Sequence, residues 1–520
     1  MPTYLTPGVY VEEVQSGARP IEGVGTAVAA FVGFAESGPF HAPTLVTGWD
    51  QYTQQFGGFT EGTYLAHAVY GYFANGGGAA YVVRIGGSAE DASAPAAGSA
   101  QRGRGSRAAE PVELGGFLVA ARPGVSGVSV EVADADGENP PEDRFKVVVR
   151  QGDQVAETYE ASTRKNVKGY LVNQARSSKL IEVTEQRGAT QSKPAGQTVA
   201  LPDAPGTPAA SGPGEVSRLD PAEYVGDSAA RTGFGGLETI DEITMVAVPD
   251  LMSAYQRGDI DAEGVRTVQL AVISHCEQMG DRVAVLDTPP GLSAQQVRTW
   301  RNDEAGYDSR YATLYYPWVR VFDPAAGRNT TVPPSGHVAG VWARSDAERG
   351  VHKAPANEVI RGAVDLELRL SKGEQDLLNP IGVNCVRAFS GRGIRIWGAR
   401  TLSSDPAWRY LNVRRLFNYL EESILLGTQW VVFEPNDDRL WSSIRRNVTA
   451  FLTEEWRGGA LFGRTADEAF YVKCDRDNNP QESIDLGRVI CEIGVSPVKP
   501  AEFVVFRLAQ FSDTTSLIDE

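Results

Sequence analysis

Two residues of this chain have the types and the order of the acid–base pair in a serine hydrolase. Asp287 ends the apolar run VAVLD, and His337 follows downstream in the segment SGHVAG. In such an enzyme the carboxylate orients the imidazole, and the imidazole takes the proton of a nucleophilic serine. The pair can therefore do chemistry only if a serine follows in a suitable turn.

The segments VAVLDTPPG and SGHVAG resemble the aspartate and histidine segments of subtilisin-type proteases, whose serine lies in a later turn written GTSMA. That turn is missing: the nearest segment, residues 427–429, reads GTQ, and Pro289-Pro290 stand where a flexible glycine is usual. Without a nucleophile the base has nothing to activate. We predict a structural turn at His337 in a protein that is not an enzyme, and keep a subtilisin-like serine hydrolase as the alternative.

The sequence carries no motif for a metal ion or a cofactor. Its five histidines lack the paired spacing of a zinc site. Residues 475–479, DRDNN, begin like a calcium loop, but Pro480 and Leu486 occupy the positions that need glycine and a bidentate glutamate. A Walker-type phosphate loop is absent, and residues 23–25 lack the third glycine of a dinucleotide fingerprint. We predict neither metal nor cofactor.

Composition narrows the possible partners. The 520 residues are 42% hydrophobic and 22% charged, which is typical of a globular protein with a core, and the net charge of −17 argues against a nucleic-acid partner. The most apolar stretch, residues 26–35, is too short to span a bilayer, so direct membrane insertion is not expected. The four cysteines form no C-x-x-C, which predicts buried free thiols and cytoplasmic assembly.

The pattern along the chain divides it into five parts. Stretches rich in Gly, Ala, Ser and Pro bracket a strand-rich block, which predicts an inserted, surface-exposed β-rich domain over 87–218. Residues 23–86 together with 219–380 alternate buried strands with helices, as in an α/β core domain. Residues 381–499 are predicted to form an α+β domain, with one helix opening at Asp405-Pro406 and a second after residues 436–438.

Arginine is concentrated in the C-terminal part of the chain. Residues 384–420 hold seven arginines against one acid, Asp405, and Arg445 and Arg446 follow. The cluster is either a solvated face with local ion pairs, such as Arg415 with Glu422, or a basic surface for an acidic partner.

Both chain ends are apolar and β-prone, although chain ends are usually polar. We predict an extended N-terminal arm, residues 1–22, and a C-terminal strand arm, residues 500–520. Such strands dock on a sheet edge of their own molecule or of another. The strand residues are Val9, Tyr10, Val11 and Glu12 in the first arm, and Phe503, Val504, Val505, Phe506, Arg507 and Leu508 in the second.

Several long motifs resemble the tail sheath proteins of contractile phages and phage-derived injection systems. They include TPGVYVEEVQSGARPIEGVGTAVAAFVG, DEITMVAVPD, VPPSGHVAGVWARSDAERGVHKAPAN, GIRIWGARTLSSDPAWRYLNVRRLFNYLEESI and VICEIGVSPVKPAEFVVFRL. Together the motifs cover residues 1–86 and about 219–510. The resemblance implies a multidomain α/β and α+β fold whose central domain is subtilisin-like without being a protease.

The resemblance also implies a function and partners. Sheath subunits form helically stacked, hexameric rings around an inner tube, exchange strand arms with neighbours, and contract to drive the tube through an envelope. Baseplate and terminator or cap proteins bind the sheath ends, and the particle is a phage tail or a tail-like device. Because the family's C-terminal domain faces the tube, we expect Arg445 and Arg446, together with Arg414 and Arg415, to contact acidic residues of the tube.

Overall fold

In the computed structural model of the chain, residues 20–86 and 220–507 are described without a break, and residues 112–201 with gaps. The chain divides into two compact units, residues 1–86 with 218–520 and residues 87–217. None of the helices in these described ranges is both long and apolar enough to cross a membrane.

The N-terminal part of the larger unit contributes three strands and two helices. They are β1 (Val28–Gly33), β2 (Thr44–Val46), α1 (Trp49–Phe56), α2 (Leu65–Asn75) and β3 (Ala79–Arg84). Helix α2 ends at Gly76 in the left-handed region with φ 117°, as its Asn-Gly stop signal predicts.

The smaller unit is rich in strands, with its own core around Phe117, Val130, Phe145 and Val149. Its elements are β4 (Val112–Leu114), β5 (Phe117–Ala121), β6 (Val128–Asp134), β7 (Arg144–Gln151), β8 (Gln154–Ser162), α3 (Leu171–Gln174), β9 (Ile181–Glu185) and β10 (Thr198–Ala200). The strands form two antiparallel sheets, in the orders β10-β6-β7-β8 and β4-β5-β9.

After this unit the chain returns to the larger one and alternates strands with helices. The elements are α4 (Pro221–Val225), β11 (Met245–Ala247), α5 (Asp250–Arg257), α6 (Ala262–Met279), β12 (Val283–Asp287), α7 (Ala294–Thr299), β13 (Ala312–Tyr316), β14 (Val319–Asp323), β15 (Arg328–Val332), α8 (Ser335–Arg349), β16 (Glu358–Val359), β17 (Ala363–Leu366), α9 (Lys372–Leu378), β18 (Val383–Phe389) and β19 (Gly393–Ile396).

Nine strands form the central sheet, in the order β16-β19-β18-β13-β12-β11-β1-β3-β2. The six from β18 to β3 are parallel, and antiparallel strands border them on both sides. Every residue of β12 and β13 is buried, so helices and loops cover both faces. The α/β prediction, made from short continuous apolar runs, is confirmed; the subtilisin-like assignment of the domain stays a prediction.

Two predicted boundaries in the C-terminal part are wrong. Strands β18 and β19 belong to the central sheet, so the α+β part begins after them rather than at residue 381. The helix predicted to open at Asp405 begins at Leu411, because Tyr410 is extended and bridges Arg400. Asp405 instead caps a turn, accepting a hydrogen bond from the Ala407 amide at 2.8 Å.

Residues 411–500, hereafter the C-terminal subdomain, contain four helices and a strand pair. These are α10 (Leu411–Thr428), α11 (Asp438–Arg457), α12 (Ala466–Ala469), β20 (Phe470–Lys473), α13 (Gln481–Asp485) and β21 (Glu492–Val495). Asp437 caps α11 through the Arg439 and Leu440 amides, and the predicted apolar face of α11 is buried throughout. The second predicted helix is therefore confirmed.

A buried ion pair joins the C-terminal subdomain to the central domain. Arg415 of α10 donates to both carboxylate oxygens of Asp346 in α8, at 2.9 and 2.5 Å, and both side chains are 4% exposed. The same guanidinium donates to the Thr26 carbonyl at 2.9 Å and lies 4.9 Å from the Trp342 ring centroid. One side chain thus links three distant segments. The sequence suggested Glu422 as the partner of Arg415, but the partner in the structure is Asp346.

Replacing Arg415 by methionine leaves the Asp346 carboxylate buried, with the Thr26 hydroxyl at 2.7 Å as its remaining side-chain donor. We expect the free energy of unfolding, measured by urea denaturation of the monomeric chain, to fall by about 3–5 kcal/mol. The double variant R415M/D346N should regain part of that loss. Arg446→Met, on an exposed position of α11, should change stability by less than about 0.5 kcal/mol. Similar losses in R415M and R446M would contradict the assigned role of the pair.

Candidate assembly site

The Asp287–His337 pair is not arranged for catalysis. Asp287 accepts hydrogen bonds from the Ser335 amide at 3.0 Å and the Ser335 hydroxyl at 2.6 Å, so it caps the N-terminus of α8. His337 lies in the first turn of α8, 3% exposed, and among the described residues its Nδ1 has no hydrogen-bond partner. Burial lowers the pKa of His337 to about 4. The carboxylate thus orients a helix and leaves the imidazole unoriented.

The segment SGHVAG serves the packing of α8 against α2. A Cβ on Gly336 would lie 2.3 Å from Ala68 Cα, and one on Gly71 would lie 2.5 Å from the His337 ring. Glycine at these positions therefore lets the two helices approach closely. The predicted structural turn is in fact the first turns of a helix, since a buried carboxylate caps the helix at Ser335.

Residues 21–24, which form the root of the N-terminal arm, attach the arm to the C-terminal subdomain. Ile21 is buried in the core of that subdomain, and the Val24 amide donates to the Ser423 hydroxyl of α10 at 3.1 Å. Val9, Tyr10, Val11 and Glu12, the predicted strand of this arm, lie outside the described residues.

Glu502 attaches the root of the C-terminal arm. Its carboxylate accepts hydrogen bonds from Arg400 at 2.9 and 2.6 Å, from Asn379 at 2.9 Å and from the Tyr410 hydroxyl at 3.3 Å. Burial acts to raise the pKa of Glu502, but the bonds from Arg400 and Asn379 outweigh it and hold the pKa below its usual value. Sequence reasoning missed this contact; its one signal is an acid placed directly before an apolar run.

Beyond Glu502 the described part of the arm is exposed. Phe503, Val504, Val505 and Phe506 are 75%, 68%, 77% and 84% exposed, and residues 501–507 form neither helix nor strand. The predicted strand is therefore not formed within the single chain, and Leu508 lies outside the described residues. Four consecutive exposed apolar side chains are typical of a segment that binds a partner.

The strand pair β20–β21 offers a place for added strands. The two strands pair antiparallel from Phe470 opposite Val495 to Lys473 opposite Glu492. No third strand joins this sheet within the described ranges, although Leu461 bridges Pro497 just beyond it. Tyr471 is 60% exposed on the pair. A two-stranded sheet of this kind can accept further strands at its edges.

The four arginines expected at the tube surface fall into two groups. Arg445 and Arg446 are exposed on α11, and no carboxylate of the described residues pairs with either. Arg414 and Arg415 are only 1% and 4% exposed. The structure contradicts a tube contact for Arg414 and Arg415, because both side chains are buried and bind other residues of the same chain.

The partners of Arg414 are aromatic rings and two polar side chains. Its guanidinium lies 4.6 Å from the ring centroids of both Tyr311 and Trp408, donates to Asn418 at 2.6 Å and pairs with Glu421 at 3.1 Å. Such contacts fix α10 on the central domain.

No group of three His, Cys, Asp or Glu in the part of the chain that is described could hold a metal ion.

Asp287 provides a test by pH. Burial raises its pKa to about 7, above the unfolded value of about 3.9. Its contribution to stability is therefore full below about pH 4 and lost as pH rises through about 7. We expect the melting temperature of the wild-type chain, relative to Asp287→Asn, to fall between pH 4 and pH 8 in differential scanning fluorimetry. Asp376→Asn, at an exposed carboxylate, is the control and should track the wild type; parallel D287N and wild-type curves would contradict the assignment.

Comparisons with known proteins agree on one family. A model described as "Phage tail sheath protein central domain" matches residues 237–402, and one described as "Phage tail sheath C-terminal domain" matches residues 403–511, together more than half of the chain. The border between them follows the last strand of the central sheet.

Relatives and solved structures extend the match. The tail sheath protein of Burkholderia phage BcepMu is 24% identical, over 96% of this chain and 95% of that protein. The chain spans 40% of the length of the tail sheath protein of Vibrio phage KVP40, at 27% identity over 50% of this chain, and 62% of that of a putative prophage major tail sheath protein from Pseudomonas aeruginosa, at 27% identity over 46% of this chain.

Two solved sheaths share the fold. One is the contracted sheath complex of the extracellular contractile injection system PVC, with TM-score 0.58 and 22% identity over 98% of this chain and 99% of that one. The other is the contracted helical sheath of the anti-feeding prophage, with TM-score 0.58 and 24% identity over 98% and 100%. The chain belongs to the phage tail sheath family.

Proposed function

We propose that this chain is the structural subunit of a contractile sheath in a phage tail or tail-like particle. Subunits assemble in the cytoplasm as helically stacked hexameric rings around an inner tube, and contraction of the sheath drives the tube through a target envelope. Family membership supports the proposal, as do the contracted states named for both similar sheath structures. The subunit acts mechanically and not as an enzyme.

The observation that carries the proposal is the exposed apolar segment Phe503–Phe506, which leaves the fold directly after the Glu502 contact. An added strand of this length makes about four to six backbone hydrogen bonds, each worth about 0.5–1.5 kcal/mol net. Burial of each phenylalanine adds about 1.5–3 kcal/mol. A junction of this strength holds two subunits together while they rotate against each other.

The acceptor in the neighbouring subunit is the strand pair β20–β21. It lies in the C-terminal subdomain, whose core also holds Ile21 at the root of the N-terminal arm. Because Glu502 and Ile21 fix both roots, each arm leaves its subunit from a defined point. The arms of two neighbours thus extend one sheet by strand addition.

Sheath ends and sheath interior have further partners in this proposal. Baseplate and cap proteins bind the two ends, and one similar structure is described as an anti-feeding prophage baseplate, with TM-score 0.55. The inner tube binds at Arg445 and Arg446, whose exposed positive charges are complementary to acidic groups on the tube. The proposed sheath subunit binds neither nucleic acid nor a lipid bilayer directly.

The C-terminal arm is tested by the double variant V504D/F506D, in which charge replaces the apolar face of the added strand. We expect soluble subunits with an unchanged melting temperature that form only short sheaths in negative-stain electron microscopy. The matched control V504I/F506L keeps the face apolar and should form sheaths of normal length. Normal sheaths from V504D/F506D, or from a chain lacking residues 1–14, would contradict strand exchange.

The tube contact is tested by the charge reversal R445E/R446E. We expect sheath subunits that still assemble with one another but no longer co-sediment with the tube protein, because like charges then face each other. The matched control R457E/R464E makes the same change in net charge at the far end of α11 and beyond it. Equal co-sedimentation of the two double variants would exclude Arg445 and Arg446 from the contact.

A further inference from the structure

Two cysteines on either side of the α13 loop lie at the open end of the strand pair β20–β21. Cys474 directly follows Lys473, and Cys491 directly precedes Glu492, which lies opposite Lys473 in the antiparallel register. Continued by one residue, this register places the two cysteines opposite each other, and opposite side chains of an antiparallel pair point to the same face with Cβ atoms about 4.5–5.5 Å apart. Cys474 is a buried member of the core of the C-terminal subdomain, and Cys491 packs against that core.

The surroundings of this pair favour a reactive thiolate at Cys474. The hydrogen bond from Cys491 is the main cause that lowers the pKa of Cys474, and the positive charge of Arg445 also lowers it, while burial and Asp475 oppose. Arg445 donates to the Cys474 carbonyl at 3.4 Å, which holds the guanidinium beside the pair. A thiolate, and not a thiol, is the nucleophile in cysteine oxidation.

The four cysteines differ in their exposure to solvent. Cys474 is buried, whereas Cys491 is partly exposed, so Cys491 is the side from which a small solute can approach the pair. The remaining cysteines, Cys276 and Cys385, are buried, and burial raises the pKa of Cys385 to about 12. They are inert by comparison and serve as internal controls.

We propose that Cys474 and Cys491 are an oxidation site at which a peroxide closes an intramolecular disulfide across β20 and β21. The Cys474 thiolate attacks one peroxide oxygen, the O–O bond breaks, and the products are a Cys474 sulfenic acid and hydroxide. The Cys491 sulfur then attacks the Cys474 sulfur and expels the second hydroxide. The two thiol protons convert both hydroxides to water, so two thiols and one hydrogen peroxide give one disulfide and two waters.

The bond would close a loop that contains α13 and fix the register of the strand pair at its open end. Directly opposite residues of an antiparallel pair lie within the Cα separation that a disulfide spans, so a small approach of the two Cβ atoms is enough to close the bond. Cross-linking also restricts the unfolded chain, so the oxidised subunit should melt at a higher temperature than the reduced one. This inference goes beyond the proposed sheath function and holds whether or not the arms exchange.

The test treats the reduced, full-length chain with hydrogen peroxide, alkylates the remaining thiols and maps the digest by mass spectrometry. We expect one linked peptide pair joining Cys474 to Cys491, lighter by two hydrogen atoms and restored by dithiothreitol, with Cys276 and Cys385 alkylated in full. In Cys491→Ser the reaction should stop at the sulfenic acid, which dimedone labels at Cys474. Intermolecular dimers on a non-reducing gel, equal oxidation of Cys276, or no linked peptide at doses that oxidise free glutathione would overturn the proposal.

A matched pair of variants tests the role of the guanidinium. Arg445→Gln should slow formation of the linked peptide several-fold at neutral pH, because the thiolate fraction of Cys474 falls. Arg446→Gln, the next residue on α11, should react at the wild-type rate. Equal slowing in both variants, or none in Arg445→Gln, would overturn the assignment of Arg445 to this site.

Discussion

The buried ion pair between Arg415 and Asp346 is the contact on which the arrangement of the larger unit depends. A guanidinium that donates to a helix of the central domain and to the Thr26 carbonyl fixes three segments at one point. Removal of either charge would leave the other without compensation in the interior, which is far costlier than the loss of a surface pair. The C-terminal subdomain is therefore held on the central sheet by a geometry that tolerates little change.

Because the C-terminal subdomain is held firmly, it provides a fixed attachment point for both chain ends. Ile21 and Glu502 anchor the roots of both ends in or beside the C-terminal subdomain, and the apolar residues after Glu502 are left exposed. In the sheath that we propose, a fixed root with an exposed apolar segment would connect two subunits and still let them move, because a single strand would carry the junction. The partly exposed Cys491 lies at the end of the same strand pair that we propose as the acceptor.

Much of the fold was predictable because it depends on local sequence patterns, namely apolar runs, helix caps and apolar helix faces. The continuous apolar runs of β12 and β13 indicated a sheet covered on both faces, and Asp437 with the apolar face of α11 defined that helix. The failures arose where distant contacts override local signals. Asp405-Pro406 carries a helix start signal, but the chain forms only a turn there, and Tyr410, which pairs with Arg400, is extended, so the helix begins at Leu411. In SGHVAG, glycines that suggest a catalytic turn serve close packing of two helices.

The sequence by itself determined the element types, the apolar faces, the family motifs and the unusual chain ends, because periodicity and capping depend on neighbouring residues. Only the tertiary structure decided which charges meet. It turned Arg414 and Arg415 inward, left Arg445 and Arg446 outside, and set Glu502 against Arg400. It also brought Cys474 and Cys491 together at the end of the strand pair β20–β21. Strand register and helix docking set these pairings, and both depend on the packing of the whole core rather than on any local segment.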